Sequence, residues 1–239
     1  MRYWTAAIAC LLAAACPGQG PQAQTRISLR LPPGRTVPAL TRSPDGRYGV
    51  TVPSLELWNE APGQNQLVDL TTGRVLATLC GRSAPLSANH VDVEAPNWSA
   101  DGSLLLWRVA GKWSPWALVL VRIRHGRALW QRDILRVAQQ AILTRTKRVR
   151  PRQYRAAVRQ NEGNGFVYPD GFTVDVAVNV EPGGRLSLPL KVTATLTSNP
   201  KRIPDYPKEA QLDSVLSAFV TADGKFVVTR FALTSPRKD

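Results

Sequence analysis

Along the last third of the chain, apolar and polar residues alternate almost without interruption. In "FTVDVAVNV", Phe172, Val174, Val176, Val178 and Val180 fall on one side of an extended chain, with Thr173, Asp175 and Asn179 on the other. "LSLPLKVTATL" repeats the pattern with Leu186, Leu188, Leu190, Val192, Ala194 and Leu196. Successive side chains of a strand point to opposite faces, so the pattern predicts antiparallel strands with one covered and one wet face. Pro189 has no N–H to give to a ladder, which predicts that its strand lies at a sheet edge or a bulge. "VLSAFVTADGKFVVTRFAL" adds a closing hairpin that turns at Asp223 and Gly224.

The first half reads as a β-meander. Residues 47–53, 66–70 and 74–79 form period-two or apolar runs, the last two joined across "TTG". Residues 103–109 and 114–123 follow, joined through "AGKW", and residues 128–133 follow the turn "RHG". If Ala110 to Trp113 make that hairpin loop, Trp107 falls opposite Trp116. Between the two halves lies a helical stretch. Asp133 caps it, Ile134, Leu135, Ala138, Ala141 and Ile142 line one face, and Pro151 forces a break into a second short helix that ends before Gly163.

The economical packing lays that apolar stripe across the covered face of the C-terminal sheet, which predicts an α+β fold. Residues 43–235 then form one domain: a meander over 43–132, a basic helical hairpin or kinked helix over 133–162, and an antiparallel sheet over 166–234. Residues 24–42 read as a proline-rich tail able to donate an edge strand through "RISLRL". Turns of the form X-D-G begin at Ser43, Ser99, Tyr168 and Thr221. Their spacings of 56, 69 and 53 residues neither agree with one another nor fit a propeller blade, so they read as ordinary hairpin bends.

The N-terminus changes the picture of where this domain works. "MRYWTAAIACLLAAACPGQGPQAQ" has a positive charge at Arg2, a short apolar run and then helix-breaking residues, the layout of a secretory signal peptide over about residues 1–23. "LAAAC" allows cleavage before Cys16 with lipid attached to that cysteine, as in bacterial lipoproteins. No later run approaches the length of a transmembrane helix, since "WALVLVRIR" meets Arg122 early. The expected location is the periplasm, the cell surface or the medium. Cys80 is then alone or paired with Cys16.

Charge adds a candidate partner. The chain carries 31 Lys plus Arg against 17 Asp plus Glu, a formal +14. From Arg132 to Arg159 there are nine basic residues and one acid, Asp133, and five of the nine, Arg145, Lys147, Arg148, Arg150 and Arg152, crowd into "RTKRVRPR". Clustered guanidinium groups suit phosphate or carboxylate, which points to an acidic polysaccharide, lipid headgroups or an envelope protein. Tyr154 is the one aromatic interleaved, so the stacking platforms of single-strand nucleic-acid binders are missing. Trp98, Trp107, Trp113 and Trp116 lie within 19 residues, and Trp113 and Trp116 are candidates for an aromatic ledge that grips a sugar ring or a protein.

Catalytic signals are sparse. "HVDVE" places His90, Asp92 and Glu94 at i, i+2 and i+4, one face of a strand, where they could ligate a divalent metal or equally form its wet face. His125 sits in the turn "RHGR" and reads as solvent-exposed. No nucleophile elbow, phosphate loop or zinc-type cysteine spacing is present, and nothing in the sequence calls for a cofactor.

The segments "WSADGSLLLW", "GKWSPWALVLV", "QAILTRTK", "YPDGFTVDV" and "LPLKVTATLTSNPK" together resemble, in the same order over most of the chain after Ser43, a family of uncharacterised secreted bacterial proteins. The resemblance implies export and one contiguous unit, and carries over no activity, cofactor or catalytic residue. The expectation is a non-enzymatic exported protein that binds an anionic envelope partner through the arginine-rich segment and the tryptophan hairpin. The alternatives are a hydrolase or metal-dependent enzyme at His90, Asp92 and Glu94, and a structural envelope component.

Overall fold

The computed structural model describes residue 31 and residues 33–60, 63–88, 91–180 and 185–234. The leader, Cys16, His90 and "RISLRL" up to its last residue lie outside them. Three antiparallel sheets account for most of the fold, with few helices. The first sheet takes β1 (Arg35–Thr36), β2 (Tyr48–Pro53), β3 (Gln66–Asp69) and β4 (Val75–Thr78) in that order. A short helix, α1 (Leu55–Glu60), connects β2 to β3; the Ser54 hydroxyl accepts from the Leu57 N–H at 3.3 Å to start it. The part of the tail that is described is built into this sheet, because β1 pairs with β2 and the buried Thr41 hydroxyl donates to the Val50 carbonyl at 2.9 Å.

The central sheet draws on β5 (Ser87–Ala88), β6 (Val91–Val93), β7 (Asn97–Trp98), β8 (Leu104–Gly111), β9 (Ala117–Arg124) and β10 (Arg127–Asp133). Its order is β10-β9-β8-β6-β5, with β7 beside β8. After it come the helices α2 (Ile134–Val149) and α3 (Pro151–Gln160). The third sheet is a simple meander of β11 (Thr173–Asn179), β12 (Leu190–Thr197), β13 (Asp213–Val220) and β14 (Phe226–Thr234).

Burial explains how these pieces stack. In β8 and β9 the apolar run is continuous, and its two faces serve two cores. Leu105, Trp107, Val109, Ala117, Val119 and Val121 pack on Tyr48, Val50 and Leu67 of the first sheet. Leu104, Leu106, Leu118 and Leu120 pack on Ile134, Leu135, Ala138 and Ile142 of α2. The third sheet packs on α2 as well, with Val174, Val192, Ala194, Leu196 and Leu216 in the same core. The layers run sheet, sheet, helix, sheet, and each fully buried Leu or Val contributes about 1.5–3 kcal/mol. In β12, Leu190, Val192, Ala194 and Leu196 are buried while Lys191, Thr193 and Thr195 are exposed. Pro189 does not put this strand at an edge. It lies just before β12, where no ladder N–H is needed, and β12 pairs on both sides.

Side chains of β10 tie the layers together. Gln131 donates to the Thr78 carbonyl at 2.9 Å and accepts from the Cys80 N–H at 3.2 Å, joining the central sheet to the first. Arg132 donates to the Gly224 carbonyl at 2.7 Å and the Trp130 indole to that of Ala222 at 3.3 Å, joining it to the β13–β14 turn. Gly224 has φ +80°, and a Cβ there would sit 2.8 Å from the Trp130 ring, so this close seat requires glycine.

The X-D-G turns resolve into one motif used three times. At Ser43, Ser99 and Thr221 the hydroxyl bonds the Asp two residues on and accepts from the N–H that opens the next strand: Tyr48 at 2.9 Å, Leu104 at 2.8 Å and Lys225 at 3.0 Å. The Gly N–H returns to the carbonyl of the Ser or Thr at 2.9 Å each time. Tyr168 has no hydroxyl on its Cβ to make this contact, and "YPDG" forms a 3₁₀ turn over Pro169–Gly171 instead. The turns at Ser99 and Thr221 bend hairpins, between β7 and β8 and between β13 and β14, whereas those at Ser43 and Tyr168 lead from a 3₁₀ turn and from α3 into the next strand.

Candidate functional site

The α2–α3 corner is built from the inside outward. The Asp133 carboxylate accepts from the Arg136 N–H at 2.9 Å and starts α2. Ile134, Leu135, Ala138, Ile142 and Thr146 are buried, a stripe that leaves the charged residues nowhere but outside. The last turn turns wholly to solvent: Lys147, Arg148, Val149 and Arg150 are all exposed, as is Arg152 at the start of α3, while Arg145 is half-buried. Pro151 occupies the first position of α3, where its missing N–H costs nothing. Among the described residues none of these five cations forms an ion pair; the three that do form are Arg47 with Asp69, Arg108 with Glu94 and Lys225 with Asp223.

The corner rests on two buried hydroxyl contacts. Thr146, between Arg145 and Lys147 in sequence, donates to the Ile142 carbonyl at 2.8 Å and meets the Ser214 hydroxyl of β13 at 2.7 Å. Tyr154 on α3 lies under Lys147, whose Nζ is 5.8 Å from the ring centroid, and donates its hydroxyl to Asp170. Burial and then the Asp170 carboxylate push the Tyr154 phenol well above its ordinary pKa, so it remains a hydrogen-bond donor throughout the physiological range.

The tryptophans separate into different roles. Trp107 is fully buried and faces Val119, not Trp116. The loop runs over residues 112–116, where Pro115 cannot join a ladder, so β9 begins at Ala117, three residues later than a loop of Ala110 to Trp113 would place it. Trp98 is buried against Tyr48, with ring centroids 6.5 Å apart. Trp116 is half-buried beside Trp58, centroids 6.3 Å apart, with the Arg82 guanidinium 5.1 Å over its ring. Trp113 is 62% exposed with the Lys112 ammonium 4.7 Å from its ring, as a loop position implies.

A cavity of about 280 Å³ opens beside Trp116, where the β8–β9 loop, the stretch after β4 and the α3–β11 loop converge. Arg82, Ser114, Gln139, Phe166 and Tyr168 line it with Trp116. It also includes Leu135 but none of Arg145 to Arg152. Leu135 and Arg145 are ten residues apart on one helix, about 15 Å. The structure therefore places the tryptophan loop at the start of α2 and the basic cluster at its end, two surfaces in place of the expected single one.

Of the metal candidates, His90 lies outside the described residues. Asp92 is exposed on β6 and accepts from the Ser87 hydroxyl at 2.9 Å; Glu94, just past that strand, pairs with Arg108 at 3.0 Å. No cluster of three metal-ligating side chains occurs among the described residues. His125 is exposed in its turn with φ +50°. Arg82, Gln139 and Phe166 carried no motif, and Tyr168 entered only as the first residue of an X-D-G turn. Phe166 alone left a trace, an aromatic stranded in the polar, glycine-rich "NEGNGF" with no alternating partner to bury it.

The fold and these surfaces define a mostly antiparallel β protein with a basic corner and a separate aromatic cavity. Compared with family models, curated proteins and solved structures, the chain matches none. No helix among the described residues is long and apolar enough to cross a membrane.

Proposed function

We propose that this is an exported, non-enzymatic binding protein of the periplasm or cell surface that docks an anionic envelope partner on the α2–α3 corner. The observation that carries this reading is the set Arg145, Lys147, Arg148, Arg150 and Arg152, gathered at one helix end with no carboxylate partner among the described residues. Opposite charges held inside the fold would have cancelled such a cluster; here the cations remain hydrated and open to bidentate contact with carboxylate or phosphate. Ser87 and Arg108 already engage Asp92 and Glu94, which favours binding over metal chemistry at that strand. The N-terminal leader pattern and the resemblance to secreted proteins support export.

The test is retention on immobilised polyphosphate across a salt series. Affinity should fall ten-fold or more between about 50 and 200 mM salt, as counterion release demands of several charge contacts. Joint replacement Arg145→Glu, Lys147→Glu, Arg148→Glu and Arg150→Glu should abolish retention of the polymer. Retention that ignores salt, or that survives the charge reversal, rejects the proposal.

A further inference from the structure

The cavity beside Trp116 is a second site, and the geometry points to a carboxylated sugar ring, a single uronic-acid unit, as its ligand. This inference stands apart from the α2–α3 corner, which contributes nothing to the cavity. Three observations converge. The walls are aromatic: Trp116 and Tyr168 line the cavity with Phe166, which is 87% exposed, and Trp113 stands 62% exposed next to Ser114. Aromatic side chains left this open are unusual on a chain that buries Trp98 and Trp107, and exposed apolar groups gathered round a concavity mark a ligand groove. Ring faces carry negative charge and attract the positively polarised C–H groups of a sugar's apolar face.

The second observation is charge. Arg82 is exposed, sits 5.1 Å over Trp116, and ties its own N–H to the Trp116 carbonyl at 3.3 Å, so it belongs to the wall that the loop forms. No lining residue carries a carboxylate, and among the described residues Arg82 has no ion-pair partner. A planar guanidinium held at an aromatic wall suits a carboxylate in bidentate contact. Third, the Gln139 amide and the Ser114 hydroxyl supply donors and acceptors for ring hydroxyls without adding charge. A neutral sugar would leave Arg82 unused, and a bare phosphate would leave the aromatic walls unused.

Titration of the full chain with digalacturonate, followed by tryptophan fluorescence and calorimetry, tests the assignment. The disaccharide is too short to reach from the cavity to Arg148, so its binding is independent of the polymer result. Saturable binding is expected, at least ten-fold weaker for the dimethyl ester, which keeps the rings and removes the charge. Arg82→Gln should weaken the acid at least ten-fold and make acid and ester equal; Phe166→Ala, at an exposed position that leaves the core untouched, should weaken both. No saturable binding, equal affinity of acid and ester, or binding undiminished in Arg82→Gln and Phe166→Ala would overturn the assignment. So would capture of anionic vesicles that depends on Phe166 and Trp113 while digalacturonate does not bind.

Discussion

Removing the hydroxyl of Thr146 tests how α2 is seated, and the structure fixes the order of costs. The Thr146 proton goes to the Ile142 carbonyl at 2.8 Å, so the 2.7 Å contact with Ser214 must use the Ser214 proton, with Thr146 accepting. Both residues are fully buried. Thr146→Val keeps the shape but strands the Ser214 proton, an unsatisfied buried donor that costs about 1–3 kcal/mol. Ser214→Ala leaves the Thr146 proton on Ile142 and strands only a lone pair, about 0.5–1.5 kcal/mol. In the double variant nothing polar is left stranded between helix and strand. Its cost should fall below that of Thr146→Val alone, giving a coupling of about 1 kcal/mol or more. Urea unfolding followed by tryptophan fluorescence reads these differences: at an m-value of roughly 2 kcal/mol/M, a 2 kcal/mol loss moves the midpoint by about 1 M with m unchanged. Additive costs, or a larger loss for Ser214→Ala, would reverse the donor assignment and refute the account of how the basic turn is held.

Two other outcomes follow from buried or half-buried titratable groups. Burial raises the Asp69 pKa, but the Thr71 hydroxyl, the Thr71 and Thr72 N–H groups and Arg47 outweigh it, so the carboxyl lies below its ordinary 3.8. A depressed folded pKa stabilises fully above about pH 4 and is lost as pH falls through the folded value, so Asp69→Asn should cost about 1 kcal/mol at pH 7 and flatten the acid limb of a stability–pH curve. An unchanged acid limb would show that Asp69 is not its source. Burial first, and then Asp133, push the Cys80 thiol up to about 11. Iodoacetamide should therefore label the folded protein slowly at pH 7, about ten-fold faster per pH unit until near 11, and faster in urea at constant pH; labelling at the rate of a free cysteine would contradict the burial.

What the sequence disclosed follows from how many faces each element covers. The third sheet covers one face, so Val174 to Val178 and Leu190 to Leu196 alternate, and its four strands are legible. Asp133 and Pro151 marked the helix starts because capping chemistry is local. The central strands were legible as strands, but which leucine serves which core was not: "LLLW" carries no alternation when both faces are buried. Loop length decided the tryptophan pairing, and one proline shifted it. The helix α1 escaped notice because six residues with no buried side chain give almost no periodicity, although Ser54 was its signal. The cavity was illegible because Arg82, Trp116, Gln139 and Phe166 come from four separate segments, and nothing local links them.

The exposure of the basic corner is a consequence of where α2 lies. The helix contacts both the central and the third sheet, and Ala138 and Ile142 belong to the one core that joins them. Up to Thr146 the polar residues Arg136, Gln139 and Gln140 are interleaved with buried ones. At Thr146 the helix makes its last inward contact, through a hydroxyl in place of a hydrocarbon, and beyond it every residue to Arg152 is exposed. Four of the five clustered cations sit in that emergent stretch, beyond the last buried turn. A charge set scattered by composition alone has no reason to begin where burial stops. This coincidence of packing and charge is why the proposed binding surface is placed at the corner and not read from the +14 of the whole chain.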